Sequence, residues 1–383
     1  MHSQIKRHQR HPLRAALAVP LLVLLATGLD ASAESSHVKQ ITINECTEDG
    51  LDSALAEAKA QKAPITDSKI DFACDGTINV TNTKVITGIV RLSAVSRHVT
   101  LRGNNAIQVI KISAKSSLTL DTVTVTGGET DGLGGGIYNQ GGLYVSDSMF
   151  SQNKHGIVNF GSLTVEETTF ADNHGDGIYN NGTLIVDSST FARNRHGIDN
   201  ASGNVMVANS TFSDNTAPPG QVGGAIANGG TLSVISSTFS GNRAPAGGGA
   251  IANRFNSKGS VQNTIIANGG RDPNCWGTTF DLGHNLQFPG TTCGPTIPVA
   301  DPKLLPLADN GGPTQTMALL VDSPAVGKGD LDVCSGSTPT GIDQRRALRL
   351  NTDSGDTTCD IGAFEFGATP PPVATEAATQ QPQ

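Results

Sequence analysis

Three residues able to do acid–base chemistry occupy one position of a repeat in this chain. His155, Asp176 and His196 each stand two residues before an isoleucine, at Ile157, Ile178 and Ile198. Neighbouring repeats carry Gly135, Gly224 and Gly249 at that position. If the repeats stack in register, a carboxylate lies between two imidazoles, an arrangement that can relay a proton. With His174 beside it, the group also offers metal ligands, although no motif in the chain demands a cofactor or a metal. A polysaccharide lyase takes the proton α to a uronate carboxyl, for which Lys154, Arg193 and Arg195 are candidate bases, with Asp172, Asp176 and Asp199 as carboxylates for Ca²⁺. A glycosidase needs two carboxyl groups about 5 to 9.5 Å apart, and Asp176 and Asp199 are the candidates across neighbouring repeats. Sugar stacking would fall to Tyr138, Tyr144 and Tyr179. The plain alternative is a polar corner facing water, with His196 exposed and without chemistry.

What must position these residues is the repeat itself. Phenylalanine recurs at 150, 170, 191, 212 and 239, and asparagine three places later at 153, 173, 194, 215 and 242. A second column runs Ile137, Ile157, Ile178, Ile198, Ile226 and Ile251, each followed two residues on by Asn139, Asn159, Asn180, Asn200, Asn228 or Asn253. A third consists of the pairs Leu143/Val145, Leu163/Val165, Leu184/Val186, Val205/Val207 and Leu232/Val234. Three short alternating apolar segments per period of about 20–21 residues, with Gly, Asn and Asp at the joints, specify an all-β fold: a right-handed parallel β-helix, or β-solenoid. Stacked coils place like residues about 4.8 Å apart, so phenylalanine lies on phenylalanine and asparagine amides bond coil to coil at corners, where they tolerate left-handed geometry. A leucine-rich repeat shares the period but requires leucines at LxxLxLxxN spacing, and these columns lack them.

Eight or nine coils are expected. Leu118, Leu120 and Val125, with Gly128 at the asparagine position, make an earlier one, and Val261 to Ile265 with Asn268 a later one shortened by a residue. Residues 216–223 and 243–248 are insertions forming adjacent loops on one edge. A helix over 51–60, with Leu51, Leu55 and Ala58 on one face, is suited to plug the first coil. The boundaries are a signal peptide at 1–33, an N-terminal cap at 34–75, the β-helix at 76–270, a C-terminal capping module at 271–366 and a Pro/Thr/Ala/Gln-rich flexible tail at 367–383.

The signal rests on Lys6, Arg7, Arg10 and Arg14, an apolar run from Ala15 to Leu29, and a small-residue cleavage site at Ala31–Ala33. Its removal takes four of 26 basic and one of 34 acidic groups, leaving 22 against 33 and a net charge of −11. That balance argues against nucleic acid or anionic lipid as partner, and the run is too short for a retained membrane span. An extracellular polysaccharide or a surface protein is the partner expected of an exported chain. Six cysteines fall as sequential pairs, Cys46 with Cys74, Cys275 with Cys293 and Cys334 with Cys359; spacing alone suggests three disulfides in an oxidising compartment, with fifteen connectivities formally open. Trp276 is expected to pack beneath the second pair.

Residues 272–366 contain DPNCWGT, LGHNL, DPKLLPLADNGGPTQTMALLVDSPAVGKGD, DQRRALR and CDIGAFEF. This segment resembles the C-terminal module of bacterial choice-of-anchor Q exported proteins. The central GGAI and FxxN repeats resemble polymorphic outer-membrane-protein repeats, and ITINECTEDGLDSALAEA is similar to a CSLREA-type opening whose CxLREA core is replaced here. The resemblance implies a secreted or surface-displayed pectin-lyase-like β-helix without a defined activity. The leading functional expectation is therefore an adhesive display or glycan- or protein-binding scaffold, with a polysaccharide lyase or glycosidase as the alternative.

Overall fold

The structure is a computed structural model and describes residues 38–61, 67–267, 272–336, 341–350 and 357–371. The expected leader and most of the tail lie outside the described residues, as does Asn268. Among the described residues no helix is long and apolar enough to cross a membrane.

Each coil lays down three parallel strands, and the strands stack into sheets of eleven, ten and nine. In the coil of Gly142–Ser146, Met149–Ser151 and Ile157–Asn159, alternation turns Leu143, Val145, Phe150 and Ile157 inward, all buried. The register is that of like on like: Leu143↔Leu163↔Leu184, Phe150↔Phe170↔Phe191 and Ile137↔Ile157↔Ile178. The phenylalanine rings stack with centroids 5.0, 4.8, 4.7 and 4.8 Å apart and planes within 9° of parallel. A core one side chain wide explains how so few aromatic residues suffice.

The corners close with three ladders of side chains, because turn backbones cannot pair within a sheet and water is excluded. In one, Asn139, Asn159, Asn180, Asn200, Asn228 and Asn253 pass Nδ2–H to the next Oδ1 at 2.7–2.9 Å. In another, Asn153, Asn173, Asn194, Asn215 and Asn242 do so at 2.8–3.1 Å. A hydroxyl ladder of Ser148, Thr168, Ser189, Ser210, Ser237 and Thr264 accepts successive backbone N–H groups. Left-handed geometry falls on the residue before the second asparagine column, at Gln152, Asp172, Arg193 and Asp214, and not on the asparagines themselves. The asparagines need their own backbone N–H in the ladder, so the preceding residue makes the bend.

At the N-terminal end the helix Glu48–Lys59 buries Leu51, Ala54 and Ala58, with Leu55 partly buried. Thr47 caps it. Lys84, in the isoleucine column, is buried and reaches Glu48 and Asp52, each at 2.6 Å. The late coil is not shortened as expected: Gly259 stands opposite Leu232, so Ile266 rather than Ile265 joins the phenylalanine column. Cys275–Trp276, Thr279–Asp281 and Leu286–Phe288 add one coil more. Residues 289–300 cover it through buried Cys293 and Ile297, held by Gln287 Nε2–H bonds to the Gly294 and Ile297 carbonyls.

Beyond residue 300 the chain returns along the outward face of the phenylalanine sheet. The Gly362 N–H bonds to the Asn263 carbonyl, the Ala363 N–H to Thr238, Arg349 to Asn209, and Gln344 to Thr190, while Thr211 donates to Gln344. Arg346 pairs with Glu167 at the far end. Disulfides join Cys46–Cys74, Cys275–Cys293 and Cys334–Cys359.

Candidate functional site

At the corner preceding the isoleucine strands the coils bring His155, Asp176 and His196 together. His196 Nδ1 lies 2.7 Å from Asp176 Oδ1, and His155 Nδ1 lies 3.2 Å from Asp176 Oδ2. His155 Nδ1 has two competing partners, the Asp176 carboxylate when it carries a proton and the Asp176 backbone N–H, at 3.3 Å, when it does not. Burial works to raise the Asp176 carboxyl, but the hydrogen bonds from His155 and His196 outweigh it and hold the group well below the usual carboxylate range.

This corner is not the exposed one anticipated. His196 is 2% exposed and Asp176 4%. The two insertions bridge each other at Thr216↔Arg243 and fold onto the outward face of the isoleucine sheet. There the Gly223 and Gly248 backbones lie so close to Ala227 and Ala252 that a side chain on either would collide, and both alanines are fully buried. His174 is exposed and stays apart. Asp199 takes its place: Asp176, His196 and Asp199 each present a donor atom within 4.8 Å of the others. Burial, and then the Asp176 charge, push the Asp199 carboxyl up. The two carboxyl groups are thus driven in opposite directions.

Arg254, which nothing in the sequence singled out, reaches back along the sheet to pair with Asp199 and approaches the Asn200 and Ala227 carbonyls at 3.4 Å. The small side chain at Ala227 leaves room for it. A cation at this cluster would compete with the guanidinium for Asp199 and with two imidazoles for Asp176. His196 Nε2 and Arg254 Nε are buried without a partner among the described residues.

Beside the corner, on the outward face of the isoleucine sheet, runs a strip of rings. Tyr138 and Phe160 lie 5.5 Å apart, Phe160 and Tyr179 6.3 Å, and Tyr179 and His155 6.4 Å, with Lys111 Nζ 6.0 Å over Tyr138. Phe160 was missed because it follows the asparagine ladder at a position with no repeating type; its exposure is the signal. Tyr144 belongs to another sheet and donates to Glu166 at 2.6 Å; burial and that carboxylate push its phenol up. Of the proposed bases and carboxylates, Arg193 pairs with Asp172 at 2.8 Å and Lys154 bonds to the Thr130 carbonyl, both away from Asp199. Trp276 does not pack under its disulfide: it is 45% exposed, because its position in the strand faces outward. A separate cavity of about 850 Å³, lined among others by Arg97, His98, Met149, Glu167 and Arg346, separates the phenylalanine sheet from the returning segment. None of the corner residues lines it.

The family described as right handed beta helix region matches residues 158–287. The fold is similar to the crystal structure of pectate lyase Pel9A, with a TM-score of 0.50 and 14% identity over 86% of this chain and 96% of that one. No curated protein matches the chain significantly. At that identity the likeness carries the fold and no chemistry. With the sheets, ladders and core described above, these similarities make the chain an all-β, right-handed parallel β-helix of about nine coils.

Proposed function

We propose that the chain is an exported or surface-displayed β-helix of the choice-of-anchor Q kind, and that the outward face of its isoleucine sheet binds glycan. The observation that carries this reading is the strip Tyr138–Phe160–Tyr179, flanked by Lys111 and His155. Rings held about one coil apart on a rigid sheet match the spacing of successive sugars, and each offers an apolar face to a pyranose with little conformational entropy to lose. Three disulfides suit an oxidising compartment.

A hydrolytic or lyase activity would draw on Asp176 and Asp199, whose carboxyl groups are pushed apart in acidity. The burial of Asp176 and His196 favours binding over turnover, since neither reaches a sugar laid on the strip. In this reading the His155–Asp176–His196 stack locks the corner.

The test is affinity electrophoresis of the purified chain through a panel of embedded polysaccharides, with assays for reducing ends and unsaturated products. Retardation without turnover, lost in Tyr138→Ala and Tyr179→Ala, is the expected result. Turnover abolished by His155→Ala or His196→Ala would overturn it.

A further inference from the structure

Trp276, the single tryptophan of the chain, stands in the same outward column as Tyr138 and Tyr179 but beyond the inserted loops, in the last coil. With Phe255 and Phe280 it lines a shallow cavity of about 420 Å³ whose other walls include Asn256, Lys258 and Thr278. These three aromatic residues are 90%, 45% and 51% exposed for Phe255, Trp276 and Phe280. In a chain with 4% aromatic residues, five of its twelve phenylalanines committed to the core stack, such a concentration of exposed rings is not packing.

Phe255 is the sharpest of the three. It and Asn256 both adopt left-handed backbone geometry, φ 52° and 61°, in a turn closed by the Ser257 N–H on the Arg254 carbonyl at 2.8 Å. Such a turn favours Asn or Gly at both central positions, and a bulky side chain there is strained. Neither the turn nor the core, then, accounts for phenylalanine at this place. Trp276 is accommodated by Gly247, where a side chain would meet the indole within 3.0 Å. Lys258 forms no ion pair with a carboxylate among the described residues, and it borders the rings.

We propose that Phe255, Trp276 and Phe280 form a second saccharide subsite, taking a pyranose that carries an anionic substituent. The inference rests on the glycan-binding reading above and extends it to the far end of the β-helix, at the corner between the isoleucine sheet and the leucine–valine sheet. Rings alternating with an amide, a hydroxyl and an ammonium match a sugar, which presents C–H faces rimmed by hydroxyls, better than an apolar helix or a bilayer. The net negative charge of the chain makes the lysine a local exception that selects an anion.

The single tryptophan reports on this subsite alone. Its emission is to be titrated with hyaluronan, dextran sulfate and neutral dextran, alongside affinity electrophoresis of the same chains. The expected result is an emission shift with the charged polymers, carboxylated and sulfated arms telling the two anions apart. Phe255→Ala is expected to weaken it about tenfold, and Lys258→Gln to erase the preference over dextran. Tyr138→Ala and Tyr179→Ala should leave the emission titration unchanged while reducing retardation. Retardation with an unmoved tryptophan overturns the subsite and leaves the strip standing. An emission shift that follows protein concentration rather than polysaccharide, with a dimer in sedimentation, overturns it in favour of a second copy of this chain.

Discussion

Truncating one rung of the buried asparagine ladder tests whether the ladder holds the coils together. Asn194 is 2% exposed. Its Oδ1 accepts from the Asn173 backbone N–H at 3.2 Å and from Asn173 Nδ2 at 2.8 Å, while its Nδ2 donates to the Phe170 carbonyl at 2.9 Å and to Asn215 Oδ1 at 2.9 Å. In Asn194→Ala the side chain of Asn173 keeps the Phe150 carbonyl and Asn215 Oδ1 keeps the Asn194 backbone N–H. The Asn173 backbone N–H keeps nothing, and it is out of reach of water. One orphaned buried donor together with the lost net bonds amounts to about 3 kcal/mol. Asn194→Asp should cost more at neutral pH, since a carboxylate would face the Phe170 carbonyl and Asn215 Oδ1 without a donor, and should recover as acid protonates it. Urea unfolding followed by far-UV circular dichroism gives the first number, and amide exchange over residues 171–176 locates it. Arg195→Ala, exposed on the same coil, is the control, expected within about 0.5 kcal/mol of wild type. A loss below about 1 kcal/mol for Asn194→Ala, or unchanged protection at Asn173, would refute the reasoning.

Lys84→Met removes the cation between Glu48 and Asp52 and should cost about 2 kcal/mol, less than a fully buried pair because Asp52 is half exposed; early loss of helix signal on heating would show it. Burial acts to raise Glu48, but the bonds from Lys84, Thr81 and Asn82 outweigh it and hold the carboxyl at about 2, so its contribution is present above about pH 4.5 and lost as pH falls toward 2. Glu365 shifts the other way: burial and the Asp360 charge push it up to about 8, so stability from its neutral form is full below about pH 4.5 and declines as pH rises to 8. Glu365→Gln should flatten that decline in thermal unfolding measured from pH 5 to 8; an unchanged slope would count against the assignment. Replacing Cys275 and Cys293 by serine opens a bond across 18 residues, and should cost about 3 kcal/mol while fraying only the last coil, as amide exchange at 286–288 would report.

Most of the scaffold was legible because a β-helix repeats its environment every coil. Phe191 meets the same surroundings as Phe170, so selection for fit writes the same residue at the same phase, and register follows from reading columns. The hydroxyl ladder was equally written, in the Ser or Thr two residues before each phenylalanine, but a recurring hydroxyl does not by itself show which backbone N–H it accepts. The left-handed corner residues carried no single type, Gln152, Asp172, Arg193 and Asp214 among them, so backbone geometry was assigned to the neighbouring asparagines.

The sequence by itself determined the winding, the stacking of like side chains and the juxtaposition of His155, Asp176 and His196, since each depends only on phase within the repeat. Only the tertiary structure decided what is covered. The insertions fold down over Ala227 and Ala252, Arg254 reaches Asp199 across 55 residues, and the returning segment lies along the phenylalanine sheet. Those contacts join segments that share no period, so periodicity carries no information about them. The burial of His196, and the exposure of Phe160, Phe255 and Trp276, follow from these or from single outward positions. For that reason Tyr138 and Tyr179 could be named from the sequence, while Phe160, Phe255, Trp276 and Phe280, which the repeat pattern does not mark, joined the candidate surfaces only from the structure.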